Sequence, residues 1–234
     1  MAAVLGVSGL AFEARIAAGR DTRVMCGGDG RTLSTALACA VGEDCRGLVS
    51  FGVAGGLAPQ LQAGTCVVGS MITSGTTRFM TDRNWSRNLL QAIPGAVYGP
   101  IVGVSAPIAQ PEAKRALHLS TGALAVDMES HVVASVAAAR TLPMAAVRVI
   151  TDSAVRKLPQ AALAAMRANG TIDIAALIRS MMKETSELPM LLLTAVDAMI
   201  GLAALLRCRQ FLGPSFGLSN RKCQSQSQSW TWNI

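Results

Sequence analysis

Short apolar runs alternate along this chain with amphipathic stretches, a pattern that predicts strands taking turns with helices. The strand candidates are residues 3–8, 23–26, 48–52, 65–72, 97–104 and 147–150, the last of them β-branched and nearly uncharged. Residues 123–126 form one more short apolar stretch. Helical spacing covers 31–41, 83–93, 112–119 and 128–140. Pro159 and Gly170 bracket a further helix over 160–168. Another follows over 174–183, with Ile174, Leu177, Ile178 and Met181 on one face. Strands that alternate with helices and end at Gly-rich turns predict a three-layer α/β/α domain with a central mixed, twisted sheet. It spans residues 1–218, with 188–210 as an accessory apolar helix.

That accessory segment is long and apolar enough to suggest a membrane span. Asp197 lies near its centre, a position that costs about 2.5–3.5 kcal/mol in a lone span. Thr194, Asp197 and Gly201 form a polar or small stripe at helical spacing. The segment therefore reads as a helix that packs on the domain or lies along a membrane surface. From Ser219 the chain turns Gln- and Ser-rich, and 219–234 reads as a disordered tail.

Composition narrows the picture. Hydrophobic residues make up 51% and charged residues 15%, which excludes disorder for most of the chain, and aromatics at 4% imply an aliphatic core. The net charge of +7 is scattered, without a basic run interleaved with aromatics, so nucleic acid is not an expected partner. The six cysteines show no ligand spacing, and two histidines are too few for a histidine-rich metal site. Free thiols and the lack of a secretory signal pattern lead us to expect a cytoplasmic protein.

The candidate chemistry lies in two acidic segments, Ala125-Val126-Asp127-Met128-Glu129-Ser130 and Arg148-Val149-Ile150-Thr151-Asp152-Ser153. Each brings a carboxylate to the end of an apolar stretch, where open α/β sheets bind ligands. One carboxylate there can grip hydroxyls while the other manages a proton. Asp127 or Glu129 can instead cap the helix that follows, and Asp152 can cap the segment after its strand.

With Phe51-Gly52-Val53-Ala54-Gly55-Gly56-Leu57-Ala58-Pro59, these segments resemble the nucleoside phosphorylase / methylthioadenosine–adenosylhomocysteine nucleosidase superfamily. Residues 9–17, 27–31 and 212–218 resemble its hopanoid-associated branch. The resemblance implies a phosphorylase-like fold, homo-oligomerisation and cleavage of a purine N-ribosyl bond, with adenine released from adenosylhopane in hopanoid side-chain biosynthesis. It implies Asp152 as general acid to purine N7 and Glu129 as acceptor from the ribose 2′- and 3′-hydroxyls. Met128 would wall the ribose, Ile108 would hold the purine, and Ala54 and Gly55 would bring backbone close to the ligand. Glu13 is the nearest candidate for the water activator, one position off the family's glutamate, with Ala14 the alternative occupant of the matching site. Ser50 and Val53 stand where phosphorylases carry arginine and serine, and a rebuilt phosphate site from Arg15, Gly28, Gly30 and Arg31 is the alternative. No resident cofactor is expected, phosphate being a co-substrate at most. The expected partner is a lipid-linked purine nucleoside met at the inner face of a membrane. A soluble nucleosidase and a non-catalytic nucleotide- or lipid-binding module are the rival readings. A dinucleotide enzyme is disfavoured, because Gly27-Gly28-Asp29-Gly30 gives no GxGxxG after the first strand.

Overall fold

A computed structural model describes residues 4–27, 30–159 and 188–218. Among these residues the strands are β1 (Val4–Ser8), β2 (Thr22–Cys26), β3 (Gly47–Gly56), β4 (Cys66–Ser74), β5 (Thr77–Met80), β6 (Val97–Gly103), β7 (Ala125–Asp127) and β8 (Met144–Asp152). The helices are α1 (Ala11–Ala17), α2 (Gly30–Ala40), α3 (Arg83–Ala92), α4 (Pro111–Thr121), α5 (Ser130–Ala139) and α6 (Leu188–Phe211). The helices expected over 160–168 and 174–183, the tail 219–234 and Cys223 lie outside the described residues.

The strands form one mixed sheet in the order β2-β1-β3-β7-β6-β4-β5, with β8 pairing both β3 and β4. β8 explains why its sequence is almost wholly apolar: a central strand covered on both faces has no polar side. Met144, Ala146 and Ile150 enter one core with Leu33 and Leu37 of α2 and Val132, Val133 and Val136 of α5. The alternate residues Ala145, Val147 and Val149 enter a second core with Trp85 and Leu89 of α3 and Ala204 and Leu205 of α6. Period-two alternation thus feeds helical layers on both faces, and the α/β layering expected from the sequence is present.

β3 departs from expectation. It does not stop at Gly52 but runs through Val53 to Gly56. Glycine has low strand propensity, yet this stretch is held by pairing on both sides. β8 runs parallel to it from Leu48↔Met144 to Gly55↔Asp152, with a register shift between Ala54 and Gly55. β7 pairs antiparallel through Gly55↔Val126 and Gly56↔Ala125. Gly55 is therefore flanked by the ends of two strands that carry acidic residues.

Two further elements escaped the sequence pattern. α1 is a seven-residue helix, and β5 forms a hairpin with β4 around Gly75, whose φ of 57° is left-handed. Helix α5 starts at Ser130, later than the expected 128.

α6 settles on the domain through the stripe seen in the sequence. Asp197 pairs with Arg156 in the segment after β8. A Cβ on Gly201 would fall 2.5 Å from Thr151 Cγ2, so the helix approaches β8 closely there. Away from the stripe, Leu192, Val196 and Met199 are exposed, and the stretch Met190–Phe211 is 22% buried. Residues 212–218 then return to the body. Trp85 Nε1 donates to Phe216 O at 2.6 Å, Asn88 Nδ2 donates to Gly217 O at 3.1 Å, and the Thr22 hydroxyl donates to Pro214 O at 2.6 Å.

Candidate active site

β7 ends at Asp127, whose carboxylate turns forward to cap α5. Oδ1 accepts from the backbone N–H of Ser130 at 2.9 Å and of Glu129 at 3.2 Å, and Oδ2 accepts from the Ser130 hydroxyl. The free N–H groups at the helix start are met by Asp127, which resolves the ambiguity in the sequence. Glu129 makes no capping bond. Its side chain instead lies against the backbone of Gly9, where an added Cβ would fall 2.6 Å from Oε1.

Glu129 is tethered by Arg148, a fully buried cation in the middle of β8. Arg148 Nη2 donates to Ser50 Oγ at 2.6 Å and to Glu129 Oε2 at 3.3 Å, and Nη1 donates to Val53 O at 3.3 Å. Nε lies 2.6 Å from Asp127 Oδ2, an ion pair off the N–H axis. Ser50 is thus a buried support for Arg148. A guanidinium without water is tolerable only with such partners. Glu13 completes the cluster at 1% exposure. Its Oε1 accepts from Val53 N at 2.7 Å and its Oε2 from Leu10 N at 2.8 Å, closing the N-terminus of α1.

Three carboxylates, those of Asp127, Glu129 and Glu13, therefore surround one guanidinium. The imbalance appears in their proton affinities. Burial pushes Glu129 up to about 7; Arg148 opposes that rise, and the neighbouring Asp127 and Glu13 charges add to it. Burial also raises Glu13, against the pull of Arg148 and of its backbone donors.

Asp152 stands at the end of β8. An added Cβ on Gly55 would come within 3.3 Å of both its carboxylate oxygens, so glycine is what lets strand and carboxylate close up. Oδ2 accepts from Lys114 Nζ, a 0% exposed amine on α4. Burial raises the Asp152 carboxyl, and Lys114 is the main opposing influence. The carboxylate keeps 12% of its side-chain surface open.

The other expected site residues are placed as follows. Ala54 buries its methyl in the core, so only its backbone is available to a ligand. Met128 is half-buried beside Glu129. Ile108, in the loop after β6, packs with Leu57, Val102 and Val126. Gly30 and Arg31 line a cavity of about 500 Å3 with Ser34, Ser74, Ser105 and His131, a cavity that neither Asp152 nor Glu129 lines. Arg15 is exposed on α1 and is not part of that cavity, and Gly28 lies outside the described residues. Arg148 and Lys114 received no role from the sequence. An arginine inside the strand Val147-Arg148-Val149-Ile150 is a signal that could have found the first. Lys114, on an ordinary-looking helix, gives none. Among the described residues no group of three or more His, Cys, Asp or Glu side chains is arranged to hold a metal.

A family model described as the phosphorylase superfamily matches residues 12–183. No curated protein matches the sequence. Several solved structures share the fold. A mutant of Helicobacter pylori MTAN with 5′-methylthioadenosine in its active site superposes with a TM-score of 0.59 at 14% identity, covering 91% of this chain and 97% of that one. Campylobacter jejuni 5′-methylthioadenosine/S-adenosyl homocysteine nucleosidase gives 0.58 at 15%, with 88% and 100% covered. Futalosine hydrolase of Helicobacter pylori gives 0.55 at 16%, with 77% and 97% covered.

Proposed function

The chain belongs to the phosphorylase superfamily, and from that premise we propose that it breaks the bond between a purine and C1′ of ribose. One observation carries this reading: Asp152 and Glu129, two carboxylates not spent on capping, flank the Gly55 end of β3 and the Gly9 turn after β1. Neighbours of the same fold described as nucleosidases lend it weight.

In the proposed step the C1′–N9 bond breaks and its electron pair stays on the purine. The Asp152 carboxyl proton passes to N7, so the base departs neutral. Burial helps here, because a desolvated carboxyl keeps its proton to higher pH. Glu129 accepts hydrogen bonds from the ribose hydroxyls, and its charge favours the cationic sugar of the transition state. Met128 packs on the ribose face and Ile108 on the purine. The new bond to C1′ comes from an oxygen of water or phosphate. Water must lose a proton, and Glu13 is the candidate base, acting through lone pairs beyond those given to Val53 and Leu10. Phosphate needs no base; Arg15, Gly28, Gly30 and Arg31 are its candidate holders.

The proposed substrate is adenosylhopane, met at the inner face of a membrane. The support is the resemblance of residues 9–17, 27–31 and 212–218 to the hopanoid-associated branch, together with the exposed apolar face of α6. The experiment is adenine release from adenosylhopane and from 5′-deoxyadenosine, by chromatography, with and without phosphate. Strong preference for adenosylhopane supports the full reading. Equal or greater activity on 5′-deoxyadenosine favours a soluble-nucleoside enzyme, and no adenine from either favours a binding module. Dependence on phosphate assigns phosphorolysis; independence assigns hydrolysis and turns attention to Glu13.

A further inference from the structure

Lys114 is the least expected side chain in this site. It belongs to Pro111-Glu112-Ala113-Lys114-Arg115 at the start of α4, yet its exposure is 0%. Lysine is almost never fully buried unless paired. Its Nζ has three acceptors: Asp152 Oδ2, Ser153 O at 3.0 Å and Arg156 O at 3.1 Å. Three acceptors match the three N–H donors of an ammonium, which accepts nothing in return. The pocket for Nζ is thus a built cation site, made from the end of β8 and the turn that follows it. That turn is closed by Arg156 N donating to Ser153 O at 3.2 Å, and Arg156 itself pairs with Asp197 of α6. One buried ammonium therefore ties α4, the end of β8 and the segment leading to α6 to a single carboxylate.

We propose that Lys114 is a positioning residue for the acid: it fixes Asp152 by Oδ2 and thereby presents Oδ1 to the purine. The inference rests on the N-ribosyl cleavage proposed above. Its physical basis is that a carboxyl at a strand end has a rotatable χ2, and a charge-assisted bond to one oxygen removes that freedom. The same cation has a second consequence. It favours the charged form of Asp152, so it limits the pH at which the carboxyl still carries the proton that N7 requires.

Lys114→Met is the test, assayed by adenine release across pH in the full-length protein. At its pH optimum kcat should fall by roughly tenfold to a hundredfold, with KM changed much less. The alkaline limb should move to higher pH, because the cation that pulled the proton off Asp152 is gone. A fall in kcat with an unmoved alkaline limb would reduce Lys114 to a packing residue, and an unchanged kcat would overturn the proposal outright. Because the single change strands a buried carboxylate, a second comparison guards against misfolding: Asp152→Asn against Asp152→Asn/Lys114→Met, in which both charges are removed. If Lys114 acts through Asp152, the pair should have the same kcat within about threefold; a further large loss in the double variant contradicts it. Failure of wild-type protein to release purine would instead sink the cleavage reading itself, a result distinct from any outcome in the variants.

Discussion

Asp127 and Glu129, two residues apart, have opposite fates. Asp127 is consumed by the start of α5 and by Arg148, whereas Glu129 is held to Arg148 by one long bond and lies against a glycine. The proposed roles of Asp152 and Glu129 imply different losses. Asp152→Asn should lower turnover by about 10²–10⁴-fold with KM little changed, because a carboxamide still accepts from Lys114 but has no acidic proton. Glu129→Gln should impair both KM and kcat, because the proposed ribose contact would hold before and during reaction; steady-state kinetics on the two variants check this. Glu129 also leaves a mark on stability. Its carboxyl starts from 4.5 and rises to about 7 on folding, so the stability tied to its proton is complete below pH 4.5 and is lost as pH rises through 7. Urea denaturation of the wild type should show stability falling across that window, and Glu129→Gln should reduce the slope. An unchanged slope would show that Glu129 is solvated rather than buried beside Asp127 and Glu13.

Gly9 and Gly201 show how whole elements depend on a missing side chain. The atoms nearest to a methyl at Gly9 would be those at the far end of the Glu129 side chain. Gly9→Ala should therefore leave the melting temperature nearly unchanged while raising KM in the direction of Glu129→Gln. A side chain at Gly201 would meet the Thr151 Cγ2 methyl at 2.5 Å and, behind it, the Ile150 carbonyl oxygen at 3.1 Å, which as backbone cannot yield. Gly201→Val should destabilise by about 1–3 kcal/mol through overpacking, readable by thermal or urea unfolding. The elements themselves were unevenly readable beforehand. β8 announced itself by Val147, Val149 and Ile150 around Arg148, and α3 and α4 by their spacing. The second half of β3 did not, because glycines carry no strand preference and only β7 and β8 hold them in line. α1 was hidden by its length, and its own Glu13, which closes the helix start at Leu10, is held in place by a long-range bond from Val53.

Over the whole molecule, the sequence told the fold class, the two-faced core and the strand-end position of the acidic residues. It did not tell which acidic residue was free, because Asp127 and Glu129 both suit a helix start and only the folded geometry shows Asp127 taking the cap. Nor did it tell of Lys114, whose burial follows from where α4 lies over the end of β8. The stripe on α6 was visible, and Arg156 supplies the partner that makes Asp197 tolerable. The opposite, apolar face is the part that bears on the proposed substrate. With Leu192, Val196 and Met199 exposed, the protein should co-sediment with anionic vesicles. Leu192→Glu/Met199→Glu should weaken that association and slow the enzyme on adenosylhopane far more than on 5′-deoxyadenosine. Equal effects on both substrates would remove the membrane surface from the account.

In the proposed chemistry Asp152 drives departure of a purine, and single-turnover adenine release is its sharpest check. Wild-type protein in excess over adenosylhopane should liberate one equivalent of adenine. Asp152→Asn, mixed under the same conditions, should bind the nucleoside with similar affinity and release adenine at least about a hundredfold more slowly. Adenine appearing at the same rate from both proteins, or from neither, would contradict it.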